Sequence, residues 1–83
     1  MGQLKKVVNI GSVSEKQLEQ VGIVTLEQLK EIGSKNAFLQ IKMLDPDACI
    51  CKLYALQGAI EEVRWHYLPQ ATKDELLEFY NSL

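Results

Sequence analysis

The sequence predicts an all-α fold of about five short helices with a central, apolar fourth helix. Three observations predict it. Helix start and stop residues divide the chain into short intervals, and apolar residues fall three and four apart within each interval. No stretch alternates apolar and polar residues over the ~4–8 positions of a half-buried strand. The 83 residues amount to one domain, and residues 1–83 are read as a single unit.

Taken in order, Ser14 precedes EKQLEQV with Gln17 three residues on. This is the pattern of a capping box, in which each side chain satisfies a backbone N–H. Gly22 ends that run. Thr25 and Gln28 repeat the box before LEQLKEI, which Gly33 ends. Ser34 is placed to cap KNAFLQIKML. Asp45 is placed to cap the fourth helix, with Pro46 at its first position, where no N–H is needed. That helix should run to Val63 or Trp65. Leu68 precedes Pro69, which disfavours helix there. Thr72 and Glu75 then open KDELLEFYNSL with a third box.

The stripes are narrow: Leu26, Leu29 and Ile32; then Ala37, Phe38, Ile41 and Leu44; then Leu76, Leu77, Tyr80 and Leu83. CICKLYALQGAI differs, being apolar nearly all round, which places the fourth helix at the centre. Gly58 inside it costs ~1 kcal/mol against alanine. Close approach by a neighbouring backbone is the expected reason for it.

Composition narrows the function. With 47% apolar and 24% charged residues the chain is not a disordered tail. No apolar run nears the ~20 residues of a membrane span, and MGQLKKVVNIG lacks the apolar core of a secretory signal. A cytoplasmic protein is therefore expected. The net charge is −2, but residues 1–44 hold six lysines against four glutamates, and residues 45–83 hold three basic against seven acidic residues. Any phosphate-facing surface belongs to the first half, where Lys5, Lys6, Lys16, Lys35 and Lys42 are the candidates for a basic patch.

Catalytic and metal chemistry find little support. Cys49 and Cys51 would stand about 200° apart on a helix, so no shared metal or disulfide is expected there, and they are expected as small buried hydrophobes. His66 has no second histidine to complete a metal set. It is expected as an exposed or half-buried bystander. Glu61 and Glu62 are adjacent and do not face each other. No nucleophile with base and orienter, and no phosphate loop, is present, so no enzyme, cofactor or small-molecule substrate is expected. Trp65 should pack over the central helix, with its indole N–H on a carbonyl.

The segment Asn9-Ile10-Gly11 reads as a tight turn, since Asn9 and Gly11 both accept left-handed backbone and Ile10 can point inward. It resembles the helix-hairpin-helix element of SAM-like folds, whose backbone N–H groups and following helix N-terminus face a DNA phosphate. The resemblance implies Asn9, Ile10, Gly11, Ser12 and Lys16 as a phosphate hairpin, with Glu15 standing where the phosphate would go. Val21-Gly22-Ile23-Val24-Thr25-Leu26 is similar to a turn in the C-terminal domain of bacterial RNA polymerase alpha subunits.

A more specific likeness lies in LYALQGAIEEVRWHYLP, residues 53–69. With the Asn9-Ile10-Gly11 and Gly22-Ile23-x-Thr25-x-x-x-Leu29 patterns, it resembles the C-terminal domain of the TfoX/Sxy competence-regulator family over about residues 4–80. Leu53, Tyr54, Gly58, Trp65, Leu68 and Pro69 carry that signature, mainly as structural residues. The resemblance implies an all-α domain, regulation of competence genes and no catalytic residue. Proteins of that family also carry an α+β N-terminal domain, which these residues do not match. The leading expectation is a regulatory module that binds a protein partner or itself. The alternative is weak, sequence-independent DNA binding through the Asn9–Ser14 hairpin.

Overall fold

Each helix begins or ends where its orphan backbone groups find partners, and some of those partners lie far along the chain. The structure, a computed structural model, describes residues 4–83 apart from the Lys5 side chain. Among the described residues it contains five α-helices and no strand. These are α1 (Ser12–Gln20), α2 (Leu26–Ile32), α3 (Ser34–Leu44), α4 (Ile50–Glu61) and α5 (Gln70–Asn81). Single 3-10 turns at Leu4–Lys6 and Trp65–Tyr67 precede α1 and α5.

The expected centre is observed. α4 packs on α2, α3, α5 and the Trp65–Tyr67 turn. Every residue of it from Lys52 to Ile60 is buried or half-buried. Leu53, Leu56 and Ala59 meet Phe38 and Ile41 of α3, Leu29 of α2 and Leu76 of α5 in one apolar cluster. Ile10, Ile23, Ala48 and Leu68, all outside the helices, plug the same cluster. The stripes of α3 and α5 are narrower than expected. Leu44, Leu77 and Leu83 are exposed, and Phe79 joins Leu76 and Tyr80 on the inner side of α5. Phe79 lies one helical turn from Leu76, whereas Leu77 is rotated about 100° from it.

Helix ends agree with the sequence where the signal is local. Gly22 (φ 86) closes α1, with the Ile23 N–H reaching the Leu18 carbonyl. Thr25 and Gln28 form the complete capping box on α2. Leu68 is extended before Pro69.

Helix starts were placed less well. α1 begins at Ser12 with Gly11 as its N-cap, so Ser14 lies inside the helix and caps nothing. Ser34 is the first residue of α3 rather than its cap, and its hydroxyl donates to Gln57 Oε1 at 2.6 Å. Asp45 and Pro46 precede α4 instead of opening it. They form a turn in which Asp45 accepts from the Asp47 N–H and from Gln17 Nε2. The Lys42 ammonium spans that turn to the Pro46 and Ala48 carbonyls. α4 also stops at Glu61, because Glu62 turns left-handed (φ 59). α5 starts at Gln70 with no side-chain cap. Glu75 pairs instead with Lys35 at 2.8 Å, which holds its carboxyl below the usual range.

Gly33 ends α2 and N-caps α3, at φ 89 and ψ 154. Non-glycine residues hardly populate that region, while the space around the missing β-carbon is open. Gly33→Ala should therefore cost about 1–3 kcal/mol of backbone strain, read as a lower urea midpoint with helix content retained.

Candidate functional site

The Asn9 hairpin forms as expected but points its polar side chain inward. Residues 7–10 make a turn closed by the Ile10 N–H on the Val7 carbonyl at 3.2 Å. Asn9 holds the left-handed position (φ 72), which asparagine tolerates better than most residues. Its side-chain Nδ2 donates to the Val63 carbonyl at 2.8 Å, and its Oδ1 accepts the Trp65 N–H at 3.3 Å. One carboxamide thus closes the corner after α4 from 54 residues away.

Gly58 makes room for this clasp. A β-carbon on it would lie 2.5 Å from Asn9 Nδ2, 2.8 Å from the Val63 carbonyl oxygen and 3.1 Å from the Trp65 α-carbon. The expected close approach is real, and it involves a side chain as well as backbone. The same corner ends α4: the Val63 N–H donates to the Gly58 carbonyl and the Glu62 N–H to that of Ala59. That pair of bonds with a left-handed residue between is a Schellman motif.

Beyond the corner the signature aromatics stack. Tyr54 lies 5.5 Å from Trp65 at 22°, and His66 lies 4.0 Å from Trp65 at 24°. The Lys73 ammonium stands 5.9 Å from the Trp65 ring. Among the described residues no carbonyl receives the Trp65 indole N–H, so stacking holds the half-buried ring instead. His66 is exposed, as expected, and stacks on the outer side of Trp65. Leu68 is buried beneath, and Pro69 is exposed as the N-cap of α5.

The remaining hairpin candidates stay at the surface. Gly11, Ser12 and Lys16 are exposed, and Glu15 is half-buried. Gly11 is extended (φ −95, ψ −175), not left-handed, so its lack of a side chain is not required there. Exposed beside them is Val13, at 67%. The five candidate lysines do not gather into one open patch. Lys35 is bound to Glu75, and Lys42 is bound to two carbonyls beside the Phe38 and Tyr80 rings. Lys6 and Lys16 are exposed, and the Lys5 side chain lies outside the described residues.

Two features were missed in the sequence. Met43 is 84% exposed, with Leu39 one turn before it at 38% and Leu44 beside it at 51%. The spacing of Leu39 and Met43, off the inner stripe of α3, was the available signal. Cys49 and Cys51, expected inside, are both exposed, because the late start of α4 leaves them at its open end. Among the described residues no three His, Cys, Asp or Glu side chains could share a metal. Among the described residues no helix is long and apolar enough to cross a membrane.

Fold and site together define a small all-α domain whose hairpin is locked onto a central helix. The chain belongs to the TfoX C-terminal domain family, whose profile it matches over residues 1–80. It is 30% identical over all 83 residues to the DNA transformation protein TfoX of Haemophilus influenzae, spanning 38% of that protein's length. Its fold is similar to two solved Listeria monocytogenes structures, one of an uncharacterized protein in a triclinic form and one of a protein of unknown function in a tetragonal form. For the triclinic form the TM-score is 0.93 at 47% identity, covering 95% of this chain and 90% of that one. For the tetragonal form it is 0.91 at 46% identity, covering 94% and 96%.

The clasp yields a quantitative expectation. Asn9→Gly keeps the left-handed backbone but loses the carboxamide, and should cost about 1–3 kcal/mol. Gly58→Ala should cost at least ~2 kcal/mol through overpacking. Both changes remove the same contact, so the double variant should lose less than the sum, by ~0.5 kcal/mol or more. Urea melts of the four proteins measure this, and strict additivity would show that Asn9 and Gly58 act independently.

Proposed function

We propose that this domain is a non-enzymatic regulatory interaction module whose partner is a protein. The observation that carries the reading is the exposed apolar surface of Leu39, Met43 and Leu44 on α3. The fold leaves these side chains in water although its core is otherwise well supplied. Apolar side chains and methionine are what the buried centre of a protein interface uses, with charged residues depleted there. The process we assign is regulation of competence, by likeness to the DNA transformation protein of Haemophilus influenzae.

The DNA alternative has weaker support. A phosphate-binding hairpin needs free N–H donors and nearby cations. Here the Asn9 carboxamide is committed internally, Lys35 and Lys42 are bound, and the net charge is −2.

Sedimentation and fluorescence anisotropy separate the two. Met43→Asp changes an exposed side chain and should leave stability within ~0.5 kcal/mol. It should nevertheless abolish association, whether with a second copy in sedimentation or with a protein cross-linked to Met43-face residues in the host cell. Duplex DNA should bind no tighter than ~10⁻⁴ M at physiological salt, with a log–log salt slope near −3. Micromolar duplex binding at that salt, lost in Lys16→Glu and untouched in Met43→Asp, would overturn the protein-partner reading.

A further inference from the structure

Cys49 and Cys51 are used neither by the clasp nor by the apolar face. A helix running through both would hold them on opposite sides. α4 starts only at Ile50, however, so Cys49 is its N-cap, with φ −97 and ψ 171. An extended N-cap swings its side chain over the helix start, toward the N–H groups of the second and third helical residues. Those residues are Cys51 and Lys52. No side-chain cap bond forms, yet the Lys52 and Cys51 N–H groups act electrostatically on the thiol.

The two thiols consequently adjoin each other with opposite character. The Lys52 N–H, opposed by burial and assisted by the N–H and thiol of Cys51, holds the Cys49 thiol below its ordinary range. Burial first, and then the neighbouring Cys49, push the Cys51 thiol above it. At neutral pH a lowered thiol carries more of the nucleophilic thiolate. Both side chains are open to solvent. Helical backbone at Ile50 sets the two flanking α-carbons about 5.4 Å apart, inside the ~4.4–6.8 Å range of disulfides.

We propose that Cys49 and Cys51 form a dithiol site that exchanges with low-molecular-weight disulfides, Cys49 attacking and Cys51 resolving. The Cys49 thiolate attacks one sulfur of the small disulfide. A Cys49–S bond forms, the disulfide bond breaks, and one small thiolate leaves and takes up a proton. The Cys51 sulfur, giving up its proton, then attacks the Cys49 sulfur and expels the second small thiol. Two protein thiols are oxidised and one small disulfide is reduced to two thiols. A ring closed across a single intervening residue is strained, and strained disulfides are the readily reduced ones. The site is therefore reversible.

The test uses the whole chain. Reduced protein is incubated with oxidised glutathione, quenched by alkylation and weighed intact. Wild type should lose two hydrogens and retain no glutathione, and dithiothreitol should reverse the change. Cys51→Ser should retain one glutathione on Cys49. Cys49→Ser should react roughly threefold or more slowly than Cys51→Ser, as a smaller thiolate fraction predicts. Circular dichroism verifies that both variants fold, and the wild-type mass alone is decisive. Wild type that carries two glutathiones, forms disulfide-linked dimers or does not react overturns the proposal. Equal rates in the two single variants overturn the assignment of Cys49 as the attacking thiol.

Discussion

The hydrogen atom that Gly58 has in place of a side chain is the constraint on which the rest of the fold depends. It admits the Asn9 carboxamide and the chain from Val63 to Trp65 to one spot against α4. Three separate requirements meet there. The left-handed turn at Asn9 sends Ile10 into the core, the Schellman end of α4 turns the chain toward Trp65, and Trp65 in turn stacks on Tyr54. Fixing residues 9 and 63 to each other closes a long loop, and the entropy lost in doing so grows only slowly with its length. A short pair of hydrogen bonds can therefore hold the turn at Asn9 to the corner after α4.

The polar side chains follow a similar economy. Lys42 satisfies two carbonyls in the turn before α4, while Gln17 joins Asp45 to Lys52 and so ties α1 to that turn. Ser34 and Gln57 connect α3 to α4 in the same manner. These bonds join each helix to another helix or to a turn, where a cap would only have satisfied its own. They also lower the number of lysines available to a polyanion, so the way the fold is stitched together bears directly on what it can bind.

How much of this was legible in the sequence depended on the range of each interaction. Gly22, Gly33, the Thr25–Gln28 box and Leu68-Pro69 act within a few residues, and each is found where the sequence indicates. Ser14, Ser34, Asp45 and Thr72 look equally good as caps. Yet Ser34 and Asp45 have side-chain partners on other helices, and Glu75, which would have completed the box at Thr72, is drawn to Lys35. Long-range competition of that kind leaves no local mark. The same holds for the site. The turn at Asn9 and the crowding at Gly58 were readable separately, but the bond between them was not. The cysteines were misplaced because their exposure depends on where α4 starts, and the Asp45 turn decides that point.

These placements separate stability from recognition. The hairpin residues that the helix-hairpin-helix likeness marks for phosphate are divided in two by the structure: Asn9 and Ile10 hold the fold, and Gly11, Ser12 and Lys16 remain at the surface. A ligand drawing on the Asn9 carboxamide would have to open the corner at Val63 and Trp65, and leaving those backbone groups unpaired carries the desolvation penalty of each. Leu39 and Met43 face no such competition, since α3 contributes Ala37, Phe38 and Ile41 to the core from its other side. An interface on that face can change without altering the packing beneath it. Binding there requires no rearrangement of the clasp, and this is the physical ground for preferring a docking surface on α3 to a phosphate site at the hairpin.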